Sequence, residues 1–240
     1  MNNTLMTYLS KRLNQNDLKY PAANTHPGPV ICISREVGCG GVAMAKSLAA
    51  ELDKLTFCKK WKVVSKEILE ESARELNMET SKLRNILKEA DRSAFDDILS
   101  AFSEKRFKSD RKINKTIIEL ISSFANEGHY IIVGRAGHII ARDIEKSLFI
   151  KLTAPQDWRV RQIMEKNNLN MREAIDFIDK TEKERLSFIK RIATEISVEV
   201  DFDLTINLSK LNTNDAIDLI KHVAQTKGLI EPNKSKIEVF

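Results

Sequence analysis

The sequence contains little cysteine, glycine and proline, and it lacks a long apolar run. Its 240 residues include 3 Cys, 8 Gly and 5 Pro, which excludes a collagen-like or low-complexity chain. The apolar runs are short, for example residues 130–133 and 148–150, whereas a membrane-spanning helix needs about 20 apolar residues. The three cysteines have no paired spacing and the N-terminus has no signal-peptide pattern. We therefore predict reduced thiols and a cytoplasmic protein without a membrane partner.

The net charge of the chain is also small. The sequence has 39 Lys and Arg against 34 Asp and Glu, which leaves a formal net charge of +5. An excess this small is typical of a solvated surface, and it does not identify a polyanionic partner by itself. Aromatic residues make up 6% of the chain and do not alternate with the basic residues, which gives base stacking little support. We therefore predict no nucleic-acid partner.

Short apolar segments alternate with segments of helical periodicity along most of the chain. The apolar segments predict five strands, at residues 30–33, 61–64, 130–133, 148–152 and 204–207. Helices are predicted at residues 42–52, 66–76, 81–89, 94–107, 112–125, 157–167, 171–180, 182–198 and 212–225. Because the strands are apolar on both faces, the predicted fold class is α/β, a three-layer parallel sheet with helices on both faces. Such sheets bind ligands outside the carboxyl ends of their strands.

The same pattern divides the chain into three predicted parts. Residues 1–29 form an N-terminal arm and linker, residues 30–228 an α/β domain, and residues 229–240 a C-terminal tail. Within the domain, residues 66–127 are predicted to be a helical insertion, and residues from about 156 to 200 a lid with its flanking helices. The arm has leucines at helical spacing, so it could cap the core, pack on a second subunit in a homodimer, or fray.

The first candidate site is the glycine-rich turn at residues 34–41, which reads Ser-Arg-Glu-Val-Gly-Cys-Gly-Gly. A turn between a buried strand and a helix N-terminus directs several backbone N–H groups and the positive end of the helix dipole at one point. Phosphate is the usual ligand of such a turn. The alternative is a tight turn that needs glycine for steric reasons alone. The turn departs from the G-x-x-x-x-G-K-[ST] pattern, because Gly41 stands in the place of the lysine.

Arginines that follow predicted strands are the second group of candidates. Arg135 comes directly after a strand, and its guanidinium suits bidentate contact with a phosphate; pairing with Asp143 is the alternative. Arg159, Arg161 and Arg185 belong to a basic helical block. That block is either a solvated pair of helices with i,i+4 ion pairs or a mobile lid that closes over phosphates. The four histidines lack metal-ligand spacing, so no protein metal site is predicted.

Taken in order, these motifs resemble those of the cytidylate-kinase-like family, a bacterial branch of the nucleoside-monophosphate kinases with a variant phosphate loop, S-R-x-x-G-S-G-G. The likeness runs from about residue 30 to about residue 220. Its motifs are residues 31–41, residues 131–135, Ala154-Pro155 with Arg159 and Arg161, Glu173-Ala174 with residues 182–185, and residues 203–207.

The resemblance implies a P-loop nucleoside-monophosphate-kinase-like fold, ATP with Mg2+ as donor, and nucleotide substrates as partners. It implies that glycines of the loop cradle the donor phosphates and that Arg135 holds the acceptor phosphate. The residues predicted to bind the cofactor are Ser34, Arg35, Gly38, Cys39, Gly40, Gly41 and Lys46. The residues predicted to be catalytic are Arg135 and three lid arginines, Arg159, Arg161 and Arg185.

The loop departs from the family at the position of its lysine. Loss of a phosphate-facing cation removes a charge-assisted hydrogen bond worth roughly 1.5–3 kcal/mol. Arg35 and Lys46 are the candidates to replace that charge. Further departures are Ala43, where relatives commonly carry an acid, Ser65, near which they carry an Asp, and Ala136, an Asp in true cytidylate kinases.

Two functions are consistent with these motifs. The leading hypothesis is ATP-dependent phosphoryl transfer to a nucleoside monophosphate such as CMP, through positioning and charge stabilisation without a covalent intermediate. The alternative is a non-catalytic nucleotide-binding or regulatory protein on the same fold.

Overall fold

The structure is a computed structural model that describes residues 27–55, 59–70, 110–196 and 201–230. The strands in these ranges are β1 (Val30–Arg35), β2 (Lys62–Ser65), β3 (Tyr130–Val133), β4 (Ser147–Thr153) and β5 (Leu204–Asn207). The helices are α1 (Gly41–Leu55), α2 (Asp110–Glu127), α3 (Gly137–Ile140), α4 (Gln156–Asn167), α5 (Met171–Ile196) and α6 (Thr213–Thr226). Residues 66–70 are also helical and follow β2 directly.

The five strands form one parallel sheet in the order β2-β3-β1-β4-β5. Alternate residues of β1 pack on opposite faces of this sheet, which explains why the strand is apolar throughout. Ile31 and Ile33 pack with α1 and α6, whereas Val30 and Cys32 pack with α2. The predicted α/β fold, a three-layer parallel sheet with helices on both faces, is confirmed.

The register brings three strand ends to the same edge of the sheet. Ser65 at the end of β2 pairs with Val133 of β3, and Val133 pairs with Ile33 of β1. The backbone N–H of Gly134 then donates to the carbonyl oxygen of Ile33 at 2.9 Å. The segments that leave β1, β2 and β3 therefore begin side by side, although they are far apart in the sequence.

The five predicted strands are all present, and their ends differ from the predicted ends by at most two residues. One helix prediction was wrong, and one helix was missed. The break predicted between residues 180 and 182 does not exist, because α5 continues through Thr181. A single β-branched residue costs a helix less than about 1 kcal/mol, and the buried face formed by Ala174, Ile178 and Ile192 offsets that cost. The short helix α3 was not predicted at all.

Several predictions concern residues outside the described ranges. These are the helices at residues 81–89 and 94–107, most of the insertion at residues 66–127, and nearly all of the arm at residues 1–29. At the other end of the chain, Leu229 and Ile230 are buried in the core beside α1 and α6. None of the described helices has the length and apolar character that crossing a membrane requires.

Candidate functional site

The turn between β1 and α1, residues 36–40, is called the glycine loop below. Gly38 and Gly40 have φ angles of 98° and 59°, in the left-handed region that favours glycine. A Cβ at Gly38 would lie 2.9 Å from the backbone oxygen of Arg159, so the loop rests closely against the start of α4. A Cβ at Gly40 would meet no described atom within 4 Å, and the carbonyl oxygen of Gly40 accepts the first hydrogen bond of α1, from Met44. The loop thus leaves the positive end of the α1 dipole accessible beside Gly40.

Arg35 is the last residue of β1, and its side chain runs between two glycines. A Cβ at Gly41 would lie 3.1 Å from Cγ of Arg35, and a Cβ at Gly134 would collide with its Nη1 atom. Burial lowers the pKa of Arg35 to about 10, and the nearby charges of Arg185 and Arg135 act in the same direction, against that of Glu67. The guanidinium is therefore protonated at neutral pH but lies in an environment that disfavours its charge.

Arg135 follows β3 and lies in an unusual run of backbone conformations. Gly134, Arg135 and Ala136 have φ angles of 73°, 53° and 53°, so three successive residues are left-handed. For a non-glycine residue this conformation costs about 1–3 kcal/mol and is concentrated at functional sites. The guanidinium carbon of Arg135 lies 5.3 Å from the centroid of the Phe188 ring, a cation–π contact with α5. Asp143, the alternative partner that the sequence suggested, pairs with Arg142 at 3.3 Å.

Arg185 extends from α5 towards the end of β1. Its Nη1 atom donates a hydrogen bond to the carbonyl oxygen of Arg35 at 3.4 Å. Burial lowers the pKa of Arg185, while the carboxylates of Glu67 and Glu182 oppose that shift. Arg35, Arg135 and Arg185 are thus grouped at the carboxyl edge of the sheet, and they are called the arginine triad below.

One face of α5 contacts the segments that follow β1 and β3. Four residues on that face, spaced by three or four positions, lie over successive parts of the site. Glu182 contacts the glycine loop, Arg185 contacts Arg35, Phe188 contacts Arg135, and Ile192 packs with Ala136 and Ile139.

Arg159 is buried and contacts protein groups through its Nε and Nη1 atoms. Its Nε atom donates to the carbonyl oxygen of Ala154 at 3.0 Å, and its Nη1 atom donates to that of Val37 at 3.2 Å. It also pairs with Glu182 at 2.6 Å and with Glu36 at 3.5 Å. Arg159 therefore joins the glycine loop, the end of β4 and α5, and its catalytic role stays a prediction.

The structure does not group two of the predicted basic residues with the triad. Arg161 lies on the exposed side of α4, where it pairs with Asp157 of the same helix at 3.8 Å. Lys46 lies on the exposed side of α1, five residues beyond its first residue, Gly41, and roughly 7.5 Å along the helix axis.

Two further predicted residues, Ser34 and Cys39, flank the core of the loop. Ser34 is partly buried in β1, where it pairs with Lys151 of β4. Cys39 is buried, and this burial raises the pKa of its thiol to about 11. The thiol of Cys39 is thus protonated at neutral pH and serves as a small packing group rather than as a nucleophile.

The sequence reasoning missed Glu67, the carboxylate that faces the triad. Ser65 accepts a hydrogen bond from the backbone N–H of Ile68 at 3.2 Å, which caps the helix on which Glu67 lies. Burial opposes the ionisation of Glu67. Hydrogen bonds from its own N–H and from the Ser65 hydroxyl, together with Arg35 and Arg185, outweigh burial and lower its pKa. Its position just after a strand end was a usable signal, the same one that identified Arg135.

Among the described residues, positive charge exceeds negative charge at this edge. The three guanidiniums of the triad lie near two carboxylates, Glu67 and Glu182, and Glu182 is already paired with Arg159. No residue within the described ranges forms an ion pair with Arg35 or Arg185. Arginine forks match the geometry of phosphate oxygens, and half-burial strengthens such a contact relative to water. The arrangement is therefore suited to binding a phosphorylated anion.

Comparison with known proteins gives this site a family. The sequence model of the Cytidylate kinase-like family matches residues 30–210, well over half of the chain. A cytidylate kinase from Sulfolobus acidocaldarius is 32% identical over 132 residues, which cover 55% of this chain and 70% of that protein.

One solved structure agrees with the fold. The crystal structure of an uncharacterized protein from Eubacterium ventriosum is similar with a TM-score of 0.58 at 20% identity, covering 83% of this chain and 99% of that one. A shikimate kinase from Bacteroides thetaiotaomicron is more distant, with a TM-score of 0.41 at 13% identity over 82% of this chain and 98% of that one. The motifs at the strand ends and the extent of the sequence match lead to one conclusion: the chain belongs to the cytidylate kinase-like family.

Proposed function

We propose that this protein transfers a phosphoryl group from ATP to a nucleoside monophosphate. The observation that carries the proposal is the convergence of Arg35, Arg135 and Arg185 beside an accessible glycine loop at the carboxyl edge of the sheet. Membership of the cytidylate kinase-like family supports a kinase-like role on nucleotides.

Phosphoryl transfer depends on positioning and on charge stabilisation, and both are available from these residues. In the proposal, the donor phosphates bind at the N-terminus of α1 and at the glycine loop. Arg135 holds the acceptor phosphate, and Arg185 lies between the two nucleotides, where it stabilises the charge of the transferred group. No side chain needs to form a covalent bond.

Magnesium fits this site as a companion of the donor rather than as a resident ion. Within the described ranges, no group of three or more His, Cys, Asp and Glu side chains is arranged to hold a metal. Mg2+ usually retains several waters and binds through substrate phosphates with few protein carboxylates. Bound in that way, it would neutralise phosphate charge, while the arginines orient the two nucleotides.

The identity of the acceptor is the finer part of the proposal. The related protein from Sulfolobus acidocaldarius is a cytidylate kinase, which makes CMP the first acceptor to test. Ala136, however, is buried and offers no polar side chain where true cytidylate kinases carry an Asp. We therefore expect weaker discrimination between bases than an Asp at this position would provide.

The test is a kinase assay with the full chain, ATP, Mg2+ and a panel of CMP, dCMP, UMP, AMP and GMP. Chromatography should show ADP and the matching nucleoside diphosphate in equal amounts for at least one acceptor. An active cytidylate kinase in parallel controls the assay. Failure to form ADP with any acceptor, beside an active control, would refute the proposal.

A non-catalytic nucleotide-binding protein is the second candidate. The observation that favours it concerns the glycine loop and the residue after it: Gly41 supplies no cation, and the Val37 N–H is already bonded to Glu182 at 3.2 Å. Calorimetry distinguishes the two: ATP binding that needs no Mg2+, without turnover of any acceptor, favours this second function.

A further inference from the structure

The glycine loop lacks the lysine that usually faces the donor phosphates, so another cation is needed for that contact. The two candidates are Lys46 and Arg35. Lys46 lies more than one turn into α1 on its exposed side, whereas Arg35 precedes the loop directly and enters the edge of the sheet. Their positions in the fold favour Arg35.

The stem of Arg35 fills the space beside residue 41. A Cβ at Gly41 would lie 3.1 Å from Cγ of Arg35, closer than the ordinary separation of about 3.5–4.0 Å between carbon atoms, and it would also touch Cδ and Cβ at 3.4 and 3.5 Å. A longer side chain at position 41 would crowd Arg35 still more. The usual lysine and this arginine therefore compete for one space.

The far end of Arg35 depends on a second glycine. Its Nη1 atom lies where a Cβ of Gly134 would be. Gly134 is left-handed, and its N–H is bonded to the carbonyl oxygen of Ile33, so β3 holds it firmly against β1. Gly41 and Gly134 together form a passage for one arginine side chain.

The surroundings of the Arg35 guanidinium are suited to contact with an anion. It forms no hydrogen bond or ion pair with any residue in the described ranges, and its charged neighbours are Arg135, Arg185 and the single carboxylate Glu67. A half-buried guanidinium that lies near other guanidiniums lowers the stability of the folded state, and a bound anion would offset this cost.

We propose that Arg35 takes the place of the loop lysine and binds the phosphate chain of the donor nucleotide, with Gly41 and Gly134 kept as glycines to admit it. The inference rests on the proposed function for the identity of the donor. It concerns phosphate binding, however, and is tested without turnover.

Calorimetry with the full chain measures binding of inorganic tripolyphosphate, ATP and CMP separately. We expect Arg35→Gln to weaken binding of tripolyphosphate and ATP by about 10- to 100-fold, and binding of CMP by less than about threefold. Lys54→Gln is the matched control, because Lys54 is an exposed cation at the far end of α1, paired with Glu51, and its loss should leave all three affinities unchanged. Circular dichroism and thermal unfolding verify that each variant is folded.

A second test moves the positive charge from position 35 to position 41, and it remains informative if a single variant folds poorly. The double variant Arg35→Gly/Gly41→Lys removes the arginine and returns a lysine to the freed space. It should bind ATP within about fivefold of the wild type, whereas Arg35→Gly alone should not. Gly41→Lys alone should weaken ATP binding, because the two side chains then crowd each other.

Each outcome supports or overturns the proposal. Loss of ATP affinity in Lys46→Gln but not in Arg35→Gln would assign the role to Lys46 and overturn it. Equal loss of ATP and CMP affinity in a folded Arg35→Gln variant would indicate a general structural role and also overturn it. If the wild type turns over no acceptor but binds ATP and tripolyphosphate through Arg35, the proposed function fails and this inference stands. If the wild type binds neither ligand, both fail.

Discussion

The carboxylate of Glu182 accepts a hydrogen bond from the backbone N–H of Val37 at 3.2 Å, although the two residues are 145 positions apart in the chain. The same oxygen of Glu182 pairs with the buried guanidinium of Arg159 at 2.6 Å. One side chain of α5 thus satisfies both a donor of the glycine loop and the cation that anchors this loop. The contact holds α5 against the site in this conformation.

Replacing Glu182 should destabilise the fold. Glu182→Ala leaves the Val37 N–H without its acceptor and Arg159 without its closest carboxylate, and we expect a loss of about 1–3 kcal/mol in the free energy of unfolding. Urea denaturation measures this change. Glu184→Ala is the matched control, because Glu184 is exposed on the same helix and its loss should cost less than about 0.5 kcal/mol. Equal midpoints for the two variants would contradict the prediction.

Arg35 should lower stability in the absence of ligand. Burial and the charges of Arg185 and Arg135 disfavour its ionised form, so Arg35→Met, which keeps a stem but removes the charge, should raise the free energy of unfolding. We expect a gain of about 1 kcal/mol, less than the full pKa difference because the side chain is partly exposed. Urea denaturation at pH 7 measures the gain, and a loss of stability would contradict the argument.

The stabilities of the wild type and Arg35→Met should respond differently to high pH. Burial lowers the pKa of Arg35 to about 10 in the folded chain, well below its ordinary value, so above about pH 10 the unfolded chain keeps a proton that the folded chain releases. Stability of the wild type should therefore rise with pH relative to Arg35→Met above about pH 10. Denaturation curves at pH 9 and pH 11 check the sign, because groups common to both proteins cancel in the difference.

Gly134→Ala and Gly40→Ala should differ although both glycines are left-handed. A Cβ at Gly134 collides with Arg35, whereas a Cβ at Gly40 meets no described atom within 4 Å. Gly40→Ala should lower the free energy of unfolding by about 1–2 kcal/mol, because alanine is strained in the left-handed conformation. Gly134→Ala should lower it by at least about 1 kcal/mol more, because of the collision. Combining Gly134→Ala with Arg35→Met should recover part of the extra loss. If the effects of Gly134→Ala and Arg35→Met on the free energy of unfolding simply add in the double variant, as measured by urea denaturation, the collision is contradicted.

Phe188 should affect the acceptor rather than the donor if the proposed function holds. Phe188→Leu removes the cation–π contact with Arg135 while retaining apolar bulk on α5. We expect the KM for the monophosphate to rise about 3- to 10-fold, with the KM for ATP changed by less than about twofold. Phe177→Leu, at an exposed position of the same helix, is the control. A larger effect on ATP than on the acceptor would oppose the assignment of Arg135.

Cys39 should be unreactive in the folded protein, although it lies in the loop. Burial raises the pKa of its thiol to about 11, and burial also raises the pKa of Cys32 well above its usual range. Iodoacetamide at pH 7.5 should label both residues at least about tenfold more slowly than in urea. Mass spectrometry of peptides that contain each cysteine gives the two rates, and rapid labelling of Cys39 in the native protein would contradict its burial.

The sequence was sufficient to predict the sheet because its strands are short, apolar on both faces and separated by helices. Tyr130–Val133, for example, is buried along its whole length, and its ends were predicted correctly. The continuity of α5 was not predictable from local pattern, because it is stabilised by tertiary packing. Ile192, for example, packs against Ala136 and Ile139 from another part of the chain.

The candidate site was predictable in part. The glycine loop and Arg135 carry signals in their immediate neighbours, glycines and the end of a strand. The role of Gly134 is different, because its partner Arg35 lies 99 positions away and meets it only through the pairing of β1 with β3. Glu67 follows a strand end, which is a local signal, but its proximity to Arg35 and Arg185 depends on the pairing of β2 with β3 and of β3 with β1. Contacts of this kind depend on tertiary structure, and spacing along the chain does not reveal them.

The length and continuity of α5 have a consequence for how nucleotides could exchange. Its 26 residues form a rod of about 39 Å, and its contacts with Val37, Arg35 and Arg135 fall within two turns, between Glu182 and Phe188. If the helix moves as one body, its withdrawal from the glycine loop also separates it from Arg135. Under the proposed function, the donor and the acceptor would then enter by one route, and departure of either product would open this route for the other.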